Sequence, residues 1–123
     1  MIEKPKTESN KNIQERYYYS HPYDELDMGL KRKFTPRDEV HEIVHGSSKT
    51  YEIWNMISLT RENHDMAQSY KISPRKLFIA KLLTGSCKTE DFPENIIIKY
   101  NLQRICKNFN RFRKKYLHHV YSI

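Results

Sequence analysis

Cutting a phosphodiester takes a base to activate water, a cation to stabilise charge on the leaving oxygen, and ligands that leave the cation partly open. The stretch from Arg37 to Tyr70, RDEVHEIVHGSSKTYEIWNMISLTRENHDMAQSY, carries side chains of those kinds. It holds three of the six histidines and the only tryptophan. His41 or Glu42 can serve as the base, and His41 and His64 can hold a metal as neutral imidazoles. The side-chain carbonyl of Asn55 can lock an imidazole in its useful tautomer through the other ring nitrogen. His64 follows Asn55 by nine residues in N-M-I-S-L-T-R-E-N-H, with the apolar Ile57 and Leu59 between them. Each residue alone has an ordinary reading. His41 and His45 can be two polar tips on the solvent face of a strand, Asn55 a loop residue, and His64 a polar residue near a helix start. Their joint spacing is what points to chemistry.

Those side chains meet only if two strands and a helix converge. From Arg37 to His45 the apolar Val40, Ile43 and Val44 support a strand. Gly46-Ser47-Ser48 reads as a loop, lined by Lys49 and Tyr51. Tyr51 to Thr60 has enough apolar area for a buried strand and the segment leading into it, with Trp54 as a core or hinge residue. Arg61 to Tyr70 lacks Pro and Gly and suits two to three helical turns, with Thr60 or Asn63 as N-cap. Ser73-Pro74 opens a further helix over 73–85 that stops at Gly85. Its apolar Leu77, Phe78, Ala80, Leu82 and Leu83 are expected to form core, and Arg75, Lys76 and Lys81 to face water.

At these residues the stretch resembles the His-Asn-His (HNH) nuclease family, whose pattern N-L-x-x-L-x-x-x-x-H is met by Asn55, Met56, Leu59 and His64. His41-Glu42-Ile43 falls where the family commonly has His-His-Ile or Asp-His-Ile. The wording H-E-I-x-x-G with R-E-N-H downstream is similar to small bacteriophage proteins of this type. The resemblance implies an α+β fold, a small ββα-metal core over 31–70 with additional C-terminal helices. It also implies a divalent metal, Mg, Mn, Ni or Zn. Two departures from the family pattern are visible. The places where many members carry zinc-binding cysteines read Thr60 and Asn63, so packing must hold the fold. If His41 is the metal ligand, the base position is Glu42; if His41 is the base, the residue before it is Val40, which cannot bind metal. A further ligand position one turn after His64 reads Gln68.

The rest of the chain frames this site. A length of 123 residues suits one domain, read as residues 17–123, that needs no disulfide. The hydrophobic share of 37% against 30% charged implies a modest core with polar extensions. Two cysteines and no membrane-length apolar run point to free thiols in a reducing cytoplasm, that of a bacterium or a phage-infected cell. Residues 1–16 are polar and read as a disordered arm. Tyr17, Tyr18, Tyr19 and Tyr23 follow, either stacking on bases or packing the arm onto the domain, beside an acidic patch of Asp24, Glu25 and Asp27.

Charge then narrows the partners. Lys31-Arg32-Lys33 lies just before the first strand, where it could grip a phosphate or be a solvated turn. Residues 93–121 place Ile97, Tyr100, Leu102, Ile105, Phe109, Phe112 and Tyr116 at three- and four-residue intervals, an amphipathic helix or two in tandem. Its other face carries Lys99, Arg104, Lys107, Arg111, Arg113, Lys114 and Lys115, and these seven equal the whole formal net charge of +7. A positive field gathered on one segment favours a polyanion, DNA more than RNA. Three functions fit: a metal-dependent DNA endonuclease, a nucleic-acid-binding protein with the same scaffold and no catalysis, and a small phage-type inhibitor of a host enzyme whose basic helix meets an acidic protein. A nuclease that makes double-strand breaks also suits a homodimer.

Overall fold

A computed structural model describes residues 10–45 and 52–121 of the chain. At its centre two antiparallel strands, β1 (Glu39–Glu42) and β2 (Met56–Leu59), pair with His41 opposite Ile57 and Glu42 opposite Met56. Every residue of β2 is buried, as a short apolar run covered on both faces should be. A single 3-10 turn, Ile53–Asn55, leads into it. Only Thr60 separates β2 from helix α3 (Arg61–Gln68), and the Thr60 hydroxyl caps that helix by accepting the Asn63 N–H at 3.2 Å. So short a connection turns α3 back across the hairpin, and it touches both strands. The fold is therefore a mixture of helices with one small antiparallel sheet, in the α+β class.

The core lies around helix α4 (Pro74–Thr84), and its ends are those its sequence announces. Ser73 accepts the Lys76 N–H at 3.2 Å, Pro74 stands at the first position, and Gly85 closes the helix at φ 77°. Phe78 is fully buried, with its ring centroid 6.2 Å from Trp54 and 5.4 Å from Phe92. Helix α2 (Glu25–Lys31) packs closely on α4. Gly29 makes that approach feasible, because a Cβ there would stand 2.6 Å from the Ala80 carbonyl oxygen.

Two expectations need correction. Helix α1 spans Asn10–Ser20, so residues 10–16 are helical and not part of a disordered arm; residues 1–9 lie outside those described. Tertiary contact explains the helix, since Tyr17 is buried, stacks on His21 with centroids 3.8 Å apart, and donates its hydroxyl to Glu25 Oε2 at 2.6 Å. The acidic patch of Asp24, Glu25 and Asp27 is buried. Asp24 caps α2 by accepting the Asp27 N–H at 2.7 Å, and its other oxygen accepts the Thr60 N–H at 2.6 Å and the Asn63 amide at 2.9 Å. Glu25 accepts the Ser58 N–H at 2.7 Å, so the start of α2 is fastened to β2 and to the start of α3. Lys81, read as facing water, is fully buried; its Nζ lies 3.7 Å from Glu25 Oε1 and donates to the Tyr17 hydroxyl at 2.5 Å. Burial lowers its pKa, and Glu25 partly offsets this.

The C-terminal segment is three helices, α5 (Glu94–Lys99), α6 (Gln103–Lys107) and α7 (Phe109–Tyr121), where periodicity predicted one or two. Asn101 breaks the first junction at φ 57°, a left-handed conformation that asparagine adopts more readily than most residues. Leu102 and Ile105 are buried, and Phe109 and Phe112 pack against the core. Among the described residues no helix is long and apolar enough to cross a membrane. Lys49 and Tyr51, expected to line a loop, lie outside the described residues.

Candidate active site

The two-residue period of β1 sends Glu39 and His41 to one face of the hairpin, and α3 covers that face. The His41 ring centroid lies 5.0 Å from that of His64 and 5.2 Å from that of His45. His41 is 3% exposed. Burial first, then the neighbouring His64 and His45, pull its pKa down to about 4. At neutral pH it is an uncharged imidazole with one nitrogen lone pair open, the form that binds a cation or accepts a proton.

His64 sits on α3 with its side chain one-fifth exposed. Its Nδ1 is buried and lies 3.1 Å from Glu39 Oε1, off the line that a hydrogen bond requires. Glu39 Oε2 accepts from the Arg61 guanidinium at 3.1 Å, and the Arg61 N–H, one of the free donors at the α3 N-terminus, donates to Asp38 Oδ2 at 2.7 Å. The start of β1 is thus tied to the start of α3 through Arg61. Glu39 has no part in the sequence reading. The signal was there, since a carboxylate two places before His41 on a strand must share its face.

Asn55 does something other than the expected work. It is 1% exposed, its Oδ1 accepts the Val44 N–H at 2.8 Å, and its Nδ2 donates to the Val44 carbonyl at 3.1 Å. These bonds fix the backbone where the chain leaves β1, not the tautomer of a ring. Glu42 is the last residue of β1, before a bend at Ile43 and Val44. One of its carboxylate oxygens, Oε2, is buried without a hydrogen-bond partner.

His41 and His64 meet edge to face with their planes at 83°, and their centroid spacing alone is compatible with a shared cation. An ion about 2 Å from one nitrogen of each ring lies about 3 Å from each centroid, and two rings at a tetrahedral angle are then about 5 Å apart. The observed separation is 5.0 Å. Among the described residues no group of three or more His, Cys, Asp or Glu side chains is gathered around one point. His41 and His64 would therefore supply two nitrogens, and water or substrate oxygen the remaining positions. Gln68 is exposed and adds no donor of the metal-binding kind.

The basic residues group differently from the sequence reading. Lys31, Arg32 and Lys33 form the end of α2: Lys31 lies 4.0 Å from Asp27, Arg32 closes the helix at φ 54°, and the Lys33 N–H donates to the Asp27 carbonyl at 3.2 Å. Arg104, Lys107, Arg111, Lys114 and Lys115 are all exposed. Lys107, Arg111 and Arg113 line a cleft of about 790 Å³ together with Lys88 and Asn110. Arg104, Arg111 and Lys115 line a second of about 380 Å³, and neither cleft is lined by a histidine. Cys87 is buried with its thiol pushed up to about 12, chiefly by that burial, so it is no nucleophile. Compared with protein-family models, curated proteins and solved structures, the chain matches none.

Proposed function

We propose that this chain is a metal-dependent endonuclease of the HNH type that hydrolyses phosphodiester bonds in DNA. The observation that carries the reading is the ring pair of His41 and His64, 5.0 Å apart across a strand and a helix that meet. His41 and His64 would hold a divalent cation, which when bound polarises the phosphate and stabilises charge on the leaving oxygen. The Asn55 bonds to Val44 pin the chain leaving β1 to the turn that enters β2. Once Asn55 has that task, His41 need not be the base to explain it. His41 would go to the cation; Glu42, the last residue of β1 and on its other face by the two-residue period, would have to reach the attacking water around the end of the strand, where the chain bends at Ile43. Glu39, whose Oε1 lies 3.1 Å from His64 Nδ1, positions His64. Lys107, Arg111, Arg113 and Lys114 on α6 and α7 grip backbone phosphates.

The test is nicking of supercoiled plasmid by the purified chain with Mg, Mn, Ni or Zn added singly, and its arrest by chelator. Activity unchanged in a His41→Ala, His64→Ala double variant would refute the reading. A second reading, DNA binding without cleavage, draws on the donor set of only two histidines. It predicts no nicking with any metal, and binding whose log–log salt slope flattens by about three to four when Lys107, Arg111, Arg113 and Lys114 become Gln.

A further inference from the structure

The groove between α4, α6 and α7 shares Arg111 with the proposed phosphate grip, but that grip makes no use of its apolar floor. Its floor is Ile79, Ile105 and Phe112, and its rim carries Arg75, Arg104, Arg111 and Lys115. No acidic side chain lines it, and among the described residues none of these four cations is in an ion pair. Four like charges around one apolar strip repel each other, so an anionic occupant is favoured on charge alone.

Two polyanions could answer that charge, and the floor separates them. A single-stranded nucleic acid is held by a series of aromatic faces on which successive bases stack. This floor has one ring only, Phe112, partly buried against the core with Phe109 and Tyr116 as its ring neighbours at 6.5 and 6.4 Å. The rest of the floor is aliphatic. An aliphatic strip bordered by cations instead matches a helix with Leu or Ile on one face and Glu or Asp on its flanks. Three of the four rim cations are arginines, which take carboxylates in two-pronged hydrogen bonds. We infer that this groove is a docking site for an acidic amphipathic helix of a protein partner, separate from the histidine site.

The probe is a fluorescent 18-residue peptide of Leu and Glu with Leu at i, i+3, i+4 and i+7 spacing. It is compared with a scrambled peptide of the same composition and with an 18-nucleotide oligothymidine, on the full chain at 0.15 M salt. The patterned peptide is expected to bind about 10-fold or more tighter than the scrambled one, and to shift the δ-methyl resonances of Ile79 and Ile105. Ile79→Ser should abolish that preference with helix content unchanged, and Arg104→Glu should weaken the patterned peptide about 10-fold. If Ile79→Ser fails to fold, methyl mapping on the unaltered chain decides. Equal affinity for the two peptides overturns the inference, and so does an oligothymidine that shifts the two methyls when the patterned peptide does not. Nicking is no part of this measurement, so its outcome and that of the nuclease reading are independent.

Discussion

His41 should make the stability of this protein fall as acid is added, and the size of that fall follows from its surroundings. Its pKa drops from an ordinary value of 6.5 in the unfolded chain to about 4 in the fold. Between those values the unfolded chain binds a proton that the folded chain refuses, so lowering the pH favours unfolding. The stabilisation is complete above pH 6.5 and lost as pH falls through about 4. At 1.36 kcal/mol per pH unit the whole window is worth roughly 3 kcal/mol at most. His41→Gln removes the titration and keeps a polar side chain of similar reach. Urea unfolding, followed through the single buried Trp54, would be run on both proteins at intervals from pH 7 to pH 4. The wild-type curve should fall more steeply than the variant between pH 6.5 and 4, by up to about 1.4 kcal/mol per unit. Parallel curves would mean that His41 is solvated, and the argument for a neutral, cation-ready imidazole would fail with it.

Other changes probe the remaining links. His64→Ala should weaken divalent-cation binding in calorimetry and regain some cleavage with excess metal, whereas Glu42→Gln should keep the cation and slow cleavage by about 100-fold or more. Asn55→Ala leaves the Val44 N–H and carbonyl without their partner and should cost about 1–3 kcal/mol in urea unfolding; no loss would mean those bonds hold nothing. Gly29→Ala puts a methyl 2.6 Å from the Ala80 oxygen and should cost about 1–3 kcal/mol, read as a lower melting temperature. Lys81→Met strands the Glu25 charge and should cost about 3–5 kcal/mol. The Glu25→Gln, Lys81→Met pair should recover more than half of that; a double variant no better than the single one would remove the buried pair as the cause.

The sequence by itself determined what local signals can carry. Ser73, Pro74 and Gly85 bound α4, and the apolar run around Ile57 and Leu59 is a buried strand. These choices depend on a few neighbouring residues, through φ preference, an orphan N–H or an unbroken apolar stretch. The spacing of His41, Asn55 and His64 led to the expectation that all three side chains share one cleft; the His41 and His64 rings do lie together, and Asn55 does not join them. Only the tertiary structure decided what each polar residue does once it is there. Glu25 and Lys81 look solvated because charges usually are, yet each is buried with a partner from a distant segment. Asn55 binds the backbone at Val44, and Glu39 lies beside His64, through contacts whose two sides are far apart in the chain. The same holds for α1, whose residues are too polar to promise a helix until Tyr17 finds Glu25. A charge or an amide written in a sequence fixes how costly burial will be, and the partner that offsets the cost appears only when the chain has folded.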